Sequence, residues 1–136
     1  MASNNYLLDT NICVFLLRGK FDIAKRIANV GIRNCAISEI TVVELLYGAY
    51  CSQKPVANIQ LVNEFCSQLV ILPISDVLDT FAHQKSILRE RGLLIDDFDL
   101  FIGCTAIAHD YTLVTDNTKH FERLPLKLEN WIVRDI

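Results

Sequence analysis

Residues 5–19, NYLLDTNICVFLLRG, join two periodicities at a single acid. NYLLD is a short apolar run ending in a carboxylate, which reads as a strand. Asp9-Thr10-Asn11 then offers side-chain oxygens that can cap a helix through ICVFLLRG. A strand that stops at an acid and turns at once into a helix is the opening of a strand–helix–strand unit.

The alternation continues along the chain. Further strands are expected at 34–38 (NCAIS), 69–74 (LVILPI, as a buried strand), 112–116 (TLVTD) and 130–135 (NWIVRD). Between them, a helix at about 21–30 carries Ile23, Ile27 and Val30 on one face. Ser38 caps a helix through EITVVELLYGAY, where Ile40, Val43, Leu46 and Tyr47 recur at helical spacing. A helix over 56–68 has a stripe of Ile59, Val62 and Phe65. Long helices over 76–91 and 97–109 and a short one over 117–122 complete the set. The expectation is one domain over residues 1–136: an α/β protein, a three-layer α/β/α sandwich on a mainly parallel sheet of about five strands.

Composition narrows the function. The 136 residues are 51% hydrophobic and 21% charged, a globular balance, without repeats or low-complexity tracts. There is no signal-like amino terminus and no apolar run of membrane-spanning length, so a soluble, cytoplasmic protein without membrane contact is expected. The five cysteines are scattered and form no C-x-x-C; Cys35, Cys66 and Cys104 lie in apolar runs and read as small core residues. A net charge of −3 argues against a broadly basic nucleic-acid binder. Yet six of the 16 acids, Asp9, Glu44, Asp96, Asp97, Asp99 and Asp116, fall in the segments that matter, leaving 10 against 13 Lys and Arg. An acidic pocket on a mildly basic body is compatible with metal-dependent work on nucleic acid.

Each of these acids has an ordinary reading on its own: Asp9 and Asp96 as helix caps, Asp99 as a dipole-favouring acid in a first turn, Asp116 as a turn residue. Taken together they converge. Asp9 and Asp116 end strands, and in open parallel sheets sites form beyond the carboxyl ends of the strands. Asp99 begins a helix on that same rim. Glu44 sits within an apolar helix with no cation four residues away, where burial without a partner is costly. Carboxylates from separate elements, with no Cys or His beside them, select a hard cation such as Mg²⁺ or Mn²⁺ and suit phosphodiester hydrolysis. Asp97 has no assigned role, and the three histidines are poor competitors to the carboxylates: His83 and His109 fall within helices, and His120 lies beside Phe121. No nucleophile triad, P-loop or dinucleotide fingerprint is present.

Four blocks, YLLDTNICVFLL, ISEITVVELLYGA, DDFDLFIGCTA and LVTDNTKHFERL…LENW, resemble PIN-domain proteins, most closely the VapC-type toxins of bacterial toxin–antitoxin pairs. They occur in order from residue 6 to about 131. The resemblance implies a Mg²⁺- or Mn²⁺-dependent endoribonuclease in which Asp9, Glu44 and Asp99 are the first three acids and Asn11 orients the first. At the fourth position the chain departs from the pattern. An acid often stands where this sequence has Asn117, whereas here the acid is Asp116, one residue earlier. Either Asp116 completes the ligand set, or Asn117 holds a metal-bound water while Asp116 points elsewhere; Thr115 would orient that network. The resemblance also implies a homodimer and a small VapB-like antitoxin that blocks the pocket, with promoter DNA bound only through that antitoxin. A structure-specific DNA nuclease and a PIN-like binding module without strong catalysis are the competing readings.

Overall fold

The computed structural model describes residues 4–134. Its sheet has five strands, β1 (Tyr6–Leu8), β2 (Cys35–Ser38), β3 (Val70–Leu72), β4 (Thr112–Val114) and β5 (Lys127–Glu129), in the order β3-β2-β1-β4-β5. Every neighbouring pair is parallel. Parallel neighbours need crossovers, and helices provide them: α1 (Thr10–Leu17) and α2 (Ile23–Val30) after β1, α3 (Glu39–Tyr50) and α4 (Pro55–Cys66) after β2, α5 (Leu78–Glu90) and α6 (Asp97–His109) after β3, and α7 (Thr118–Phe121) after β4.

Both faces of the sheet are covered, which explains why the strands are apolar at consecutive positions. Leu8, Cys35, Ile37 and Val114 face one core with Ile12, Ile23, Ile27, Val62, Phe65 and Trp131. Their strand neighbours Leu7, Ala36 and Leu113 face the other, with Leu88, Leu100, Ile102, Cys104 and Phe121. The three-layer α/β/α sandwich expected from the sequence is what forms. Cys13, Cys35, Cys66 and Cys104 are buried free thiols. Among the described residues no helix is long and apolar enough to cross a membrane.

Four local expectations are corrected. The strand placed at 130–135 is instead Lys127–Glu129, with residue 135 outside the described residues. Asn130 ends the strand: its Oδ1 accepts the Ile132 N–H at 2.9 Å, and Trp131 turns inward against Tyr6 with ring centroids 5.4 Å apart. The apolar Trp131-Ile132 pair is therefore a plug beyond the sheet. The strand at 69–74 is an edge strand and not a buried one, because among the described residues β2 is its sole neighbour and Val70 and Ile71 lie in the open. The helix expected from residue 76 begins as a 3₁₀ turn at Ile74–Val77 before α5. On α3 the buried positions are Ile40, Thr41, Leu45 and Ala49, while Val43 and Tyr47 are exposed.

Two features of this scaffold fix the rim. α6 is buried through its middle, with Leu100 and Ile102 to Ala106 sealed, and this anchors the more exposed first turn at the rim. Gly103 permits this closeness: a Cβ there would stand 2.6 Å from a methyl of Leu124 and 3.2 Å from Phe121. The sheet also has its topological switch between β1 and β4, where the chain leaves β1 toward β2 and leaves β4 toward β5. That crevice is where ligands of such sheets bind.

Candidate active site

Asp9 is the first residue past β1 and Thr115 the first past β4. The strand pairing continues one step beyond the sheet, with the Asp9 N–H on the Val114 carbonyl at 2.9 Å, and this holds the two residues side by side. The Thr115 hydroxyl donates to Asp9 Oδ2 at 2.8 Å. Asp9 Oδ1 accepts the Thr10 N–H at 2.8 Å as the N-cap of α1. The carboxylate is thus a cap and a site group at once, and it is only 4% exposed. Burial is the main reason its pKa is pushed up to about 6; the two hydrogen bonds oppose the rise, and the Asp99 and Glu44 charges add to it.

Glu44 reaches the same place from α3. The Thr10 hydroxyl donates to Glu44 Oε1 at 2.6 Å and lies 3.0 Å from the Thr41 hydroxyl. This is the partner that the sequence could not supply along the helix, and it comes from 34 residues away in the chain. Asp99, half-buried in the first turn of α6, has its pKa raised by burial, then by Asp96 and Glu44, with His120 opposing. Asp96 is the N-cap proper, accepting the Phe98 N–H at 3.1 Å, and Asp97 lies outside in an ion pair with Lys85 at 2.9 Å. The three acids of one short loop therefore have three different fates.

The β4–α7 turn carries the other residues named from the sequence. The Asn117 N–H donates to Thr115 Oγ1 at 2.9 Å, and its side-chain amide donates to His120 Nδ1 at 2.7 Å. Asn11 Oδ1 accepts the Asp116 N–H at 3.4 Å and so ties this turn to α1. The Asp116 carboxylate is engaged in a bidentate pair with Arg134, at 2.9 and 2.6 Å, and also accepts from Asn130 at 3.2 Å. The Arg134 hydrogen bonds hold its pKa below the usual carboxylate value, against the smaller effect of burial.

Two carboxylates with raised pKa, Asp9 and Asp99, each in the field of Glu44, make a region built from hard oxygen donors. Such a set fits a divalent cation. Among the described residues no three acidic, His or Cys side chains are drawn into a ready-made cage.

The PIN domain family model matches residues 6–127, spanning both strands of the crevice and α6. The chain belongs to the PIN-domain family. Ribonuclease VapC2 of Rickettsia felis is 38% identical over 130 residues, covering 93% of this chain and 97% of that protein. The tRNA(fMet)-specific endonuclease VapC of Shigella flexneri is 33% identical over 128 residues, with the same coverage of each. A chain in the crystal structure of DNA-bound VapBC from Salmonella typhimurium superposes with a TM-score of 0.87 at 30% identity, covering 94% of this chain and 98% of that one.

Some residues of this PIN domain site were not singled out from the sequence. Thr10 joins the Asp9 and Glu44 elements, although its place in D-T-N marked it only as part of a cap. His120 had been set aside, yet its Nδ1 lies 3.9 Å from Asp99 Oδ2. Its spacing of three from Asn117, across one helical turn, is the signal that could have found it. Arg123 donates to the carbonyls of Leu93 and Leu94, both at 3.2 Å, and so braces the loop leading into α6.

Proposed function

We propose that this chain is a metal-dependent endoribonuclease toxin of a toxin–antitoxin pair, acting as a single cytoplasmic domain and inhibited by a VapB-like antitoxin. The observation that carries the reading is the meeting of Asp9, Glu44 and Asp99 at the β1/β4 crevice, in a chain 38% identical to a ribonuclease across almost its whole length. Relatives named as ribonucleases and VapBC complexes with high TM-scores support the activity and the antitoxin partner.

Asp9 and Asp99, with Glu44 nearby, would hold Mg²⁺ or Mn²⁺. When bound, that ion neutralises the carboxylates, binds phosphodiester oxygens and lowers the pKa of a water at the site. The residues of the chain do the positioning. Thr115 holds one oxygen of Asp9, leaving the carboxylate one orientation, and Thr10 does the same for Glu44. Asn117 is fixed by Thr115 through its backbone, so its side chain is presented at the rim. Asp116 stays with Arg134 and is no ligand, and Asn11 serves by anchoring the turn that carries Thr115 and Asn117.

The antitoxin reading is supported by a cleft of about 280 Å³ between α1, α3 and α4, lined by Val14, Leu17, Leu45 and Leu61, with Glu44 at its side. A segment seated there would reach the acids directly. The exposed Val43, Tyr47 and Tyr50 of α3 favour a second copy of the chain as a further partner.

The test is incubation of the purified protein with bulk bacterial RNA in Mg²⁺ or Mn²⁺, with new 5′ ends read by sequencing and DNA of the same sequences run alongside. Discrete RNA cuts that vanish with chelator are expected. Cutting that persists in chelator, or that falls on DNA instead, would refute the reading.

A further inference from the structure

His120 stands half-exposed on α7 beside Asp99. Its ring is held at one nitrogen only. The Asn117 amide nitrogen, which has hydrogens to donate and no lone pair to accept with, lies 2.7 Å from Nδ1. Nδ1 is therefore the acceptor, which leaves Nε2 as the ring N–H. The 3.9 Å between Nδ1 and Asp99 is too long for a hydrogen bond, so Asp99 does not compete for that nitrogen. Among the described residues no protein acceptor takes up Nε2.

The arrangement also has a fixed origin. Thr115 donates to Asp9, accepts from the Asn117 backbone, and so sets the side chain that holds His120. One hydrogen-bonded chain thus runs from the buried acid of β1 to an imidazole beside the acid of α6. A donor pre-aligned at the edge of an acidic site is suited to an anionic oxygen that the acids themselves repel. In an RNA hydrolase that oxygen is on a phosphate.

We infer that His120 is a substrate-contacting residue whose Nε2–H, on the ring edge away from Asp99, holds a non-bridging oxygen of an RNA phosphate at the rim of the site. The inference rests on the ribonuclease reading. Loss of such a charge-assisted hydrogen bond is expected to weaken substrate use by about 10- to 100-fold.

The experiment compares His120→Ala, His120→Gln and His120→Asn with the unaltered protein, cutting bulk bacterial transfer RNA in Mn²⁺. A glutamine amide places its donor near the position of imidazole Nε2, whereas asparagine places one near Nδ1. His120→Ala should raise KM about 10- to 100-fold with a smaller effect on kcat. His120→Gln should recover most of the loss and His120→Asn should not. Nitrogen-15 spectra of the unaltered protein should show the Nε2–H tautomer, with Nε2 shifting when transfer RNA is added in chelator. Unchanged kinetics in His120→Ala, equal or better rescue by His120→Asn, or an Nδ1–H tautomer would overturn the assignment while leaving the ribonuclease reading intact. Failure of the unaltered protein to cut any RNA would sink the ribonuclease reading, and this inference with it.

Discussion

Asp9 and Asp116 begin from the same position in the architecture. Each lies just past the carboxyl end of a central parallel strand, Asp9 one residue and Asp116 two residues beyond. Their neighbours make them opposites. Asp9 is sealed among hydroxyls and other acids, and its pKa rises to about 6. Asp116 is only partly exposed but carries a guanidinium, which lowers its pKa. Among the described residues the first has no cation paired with it, and the second is already satisfied. A place on the rim nominates a carboxylate for a cation, but the surrounding partners decide whether it is free to take one.

The comparison is tested most strongly by removing each charge in turn. Asp9→Asn and Asp99→Asn should each lower RNA cleavage by roughly 10³-fold, the scale of losing a group that acts on the reacting charge. Asp116→Asn should leave kcat/KM within about threefold, because the group it alters faces Arg134. A comparable loss in all three variants would erase the distinction.

The pH dependence of stability gives a second contrast, with opposite signs at the two sites. Folded Asp9 prefers its proton, so its contribution is fully present below the ordinary value of 3.8 and is lost as pH rises to about 6. The ionised carboxylate then costs on the order of 3 kcal/mol at neutral pH without metal. Chemical denaturation in chelator should show stability falling across that window, and Asp9→Asn should flatten the curve and raise stability at pH 7. Asp116 behaves in reverse: its ion pair contributes above the usual carboxylate range and fades as pH falls through the lowered value. Arg134→Ala should therefore matter at pH 7 and progressively less as pH falls below the usual carboxylate range.

The smallest effects are expected in the loop before α6. Asp96→Ala removes the N-cap and should cost about 1 kcal/mol of stability with little change in catalysis. Asp97→Asn breaks only an exposed ion pair with Lys85 and should change neither measurably.

The same contrast shows what could be read from the sequence. The order of strands and helices was legible because two-sided burial writes continuous apolar runs into β1, β2 and β4, and caps such as Ser38 and Asp96 mark helix starts. Asp9, Glu44 and Asp99 could be named because Glu44 breaks an apolar helix, Asp9 and Asp99 fall on the same rim, and all three match the acids of the resemblance. The partners were not legible. Thr10 bonds Glu44 across 34 residues and Arg134 reaches Asp116 across 18, and neither spacing leaves a local trace. Trp131 misled for a related reason: its apolar surroundings resemble a strand, and only the Asn130 turn that drives it inward ends β5 at Glu129. Val43 and Tyr47 have helical spacing, yet they lie on the outer face of α3, where periodicity cannot separate a core from a docking surface.

The most direct measurement is a crystal of the protein grown with Mn²⁺, its anomalous scattering locating the ion. Mn²⁺ is expected against the carboxylates of Asp9 and Asp99, with Asp116 still paired to Arg134. Anomalous density on the Asp116 carboxylate, with Arg134 displaced, would contradict the division of labour between the two acids.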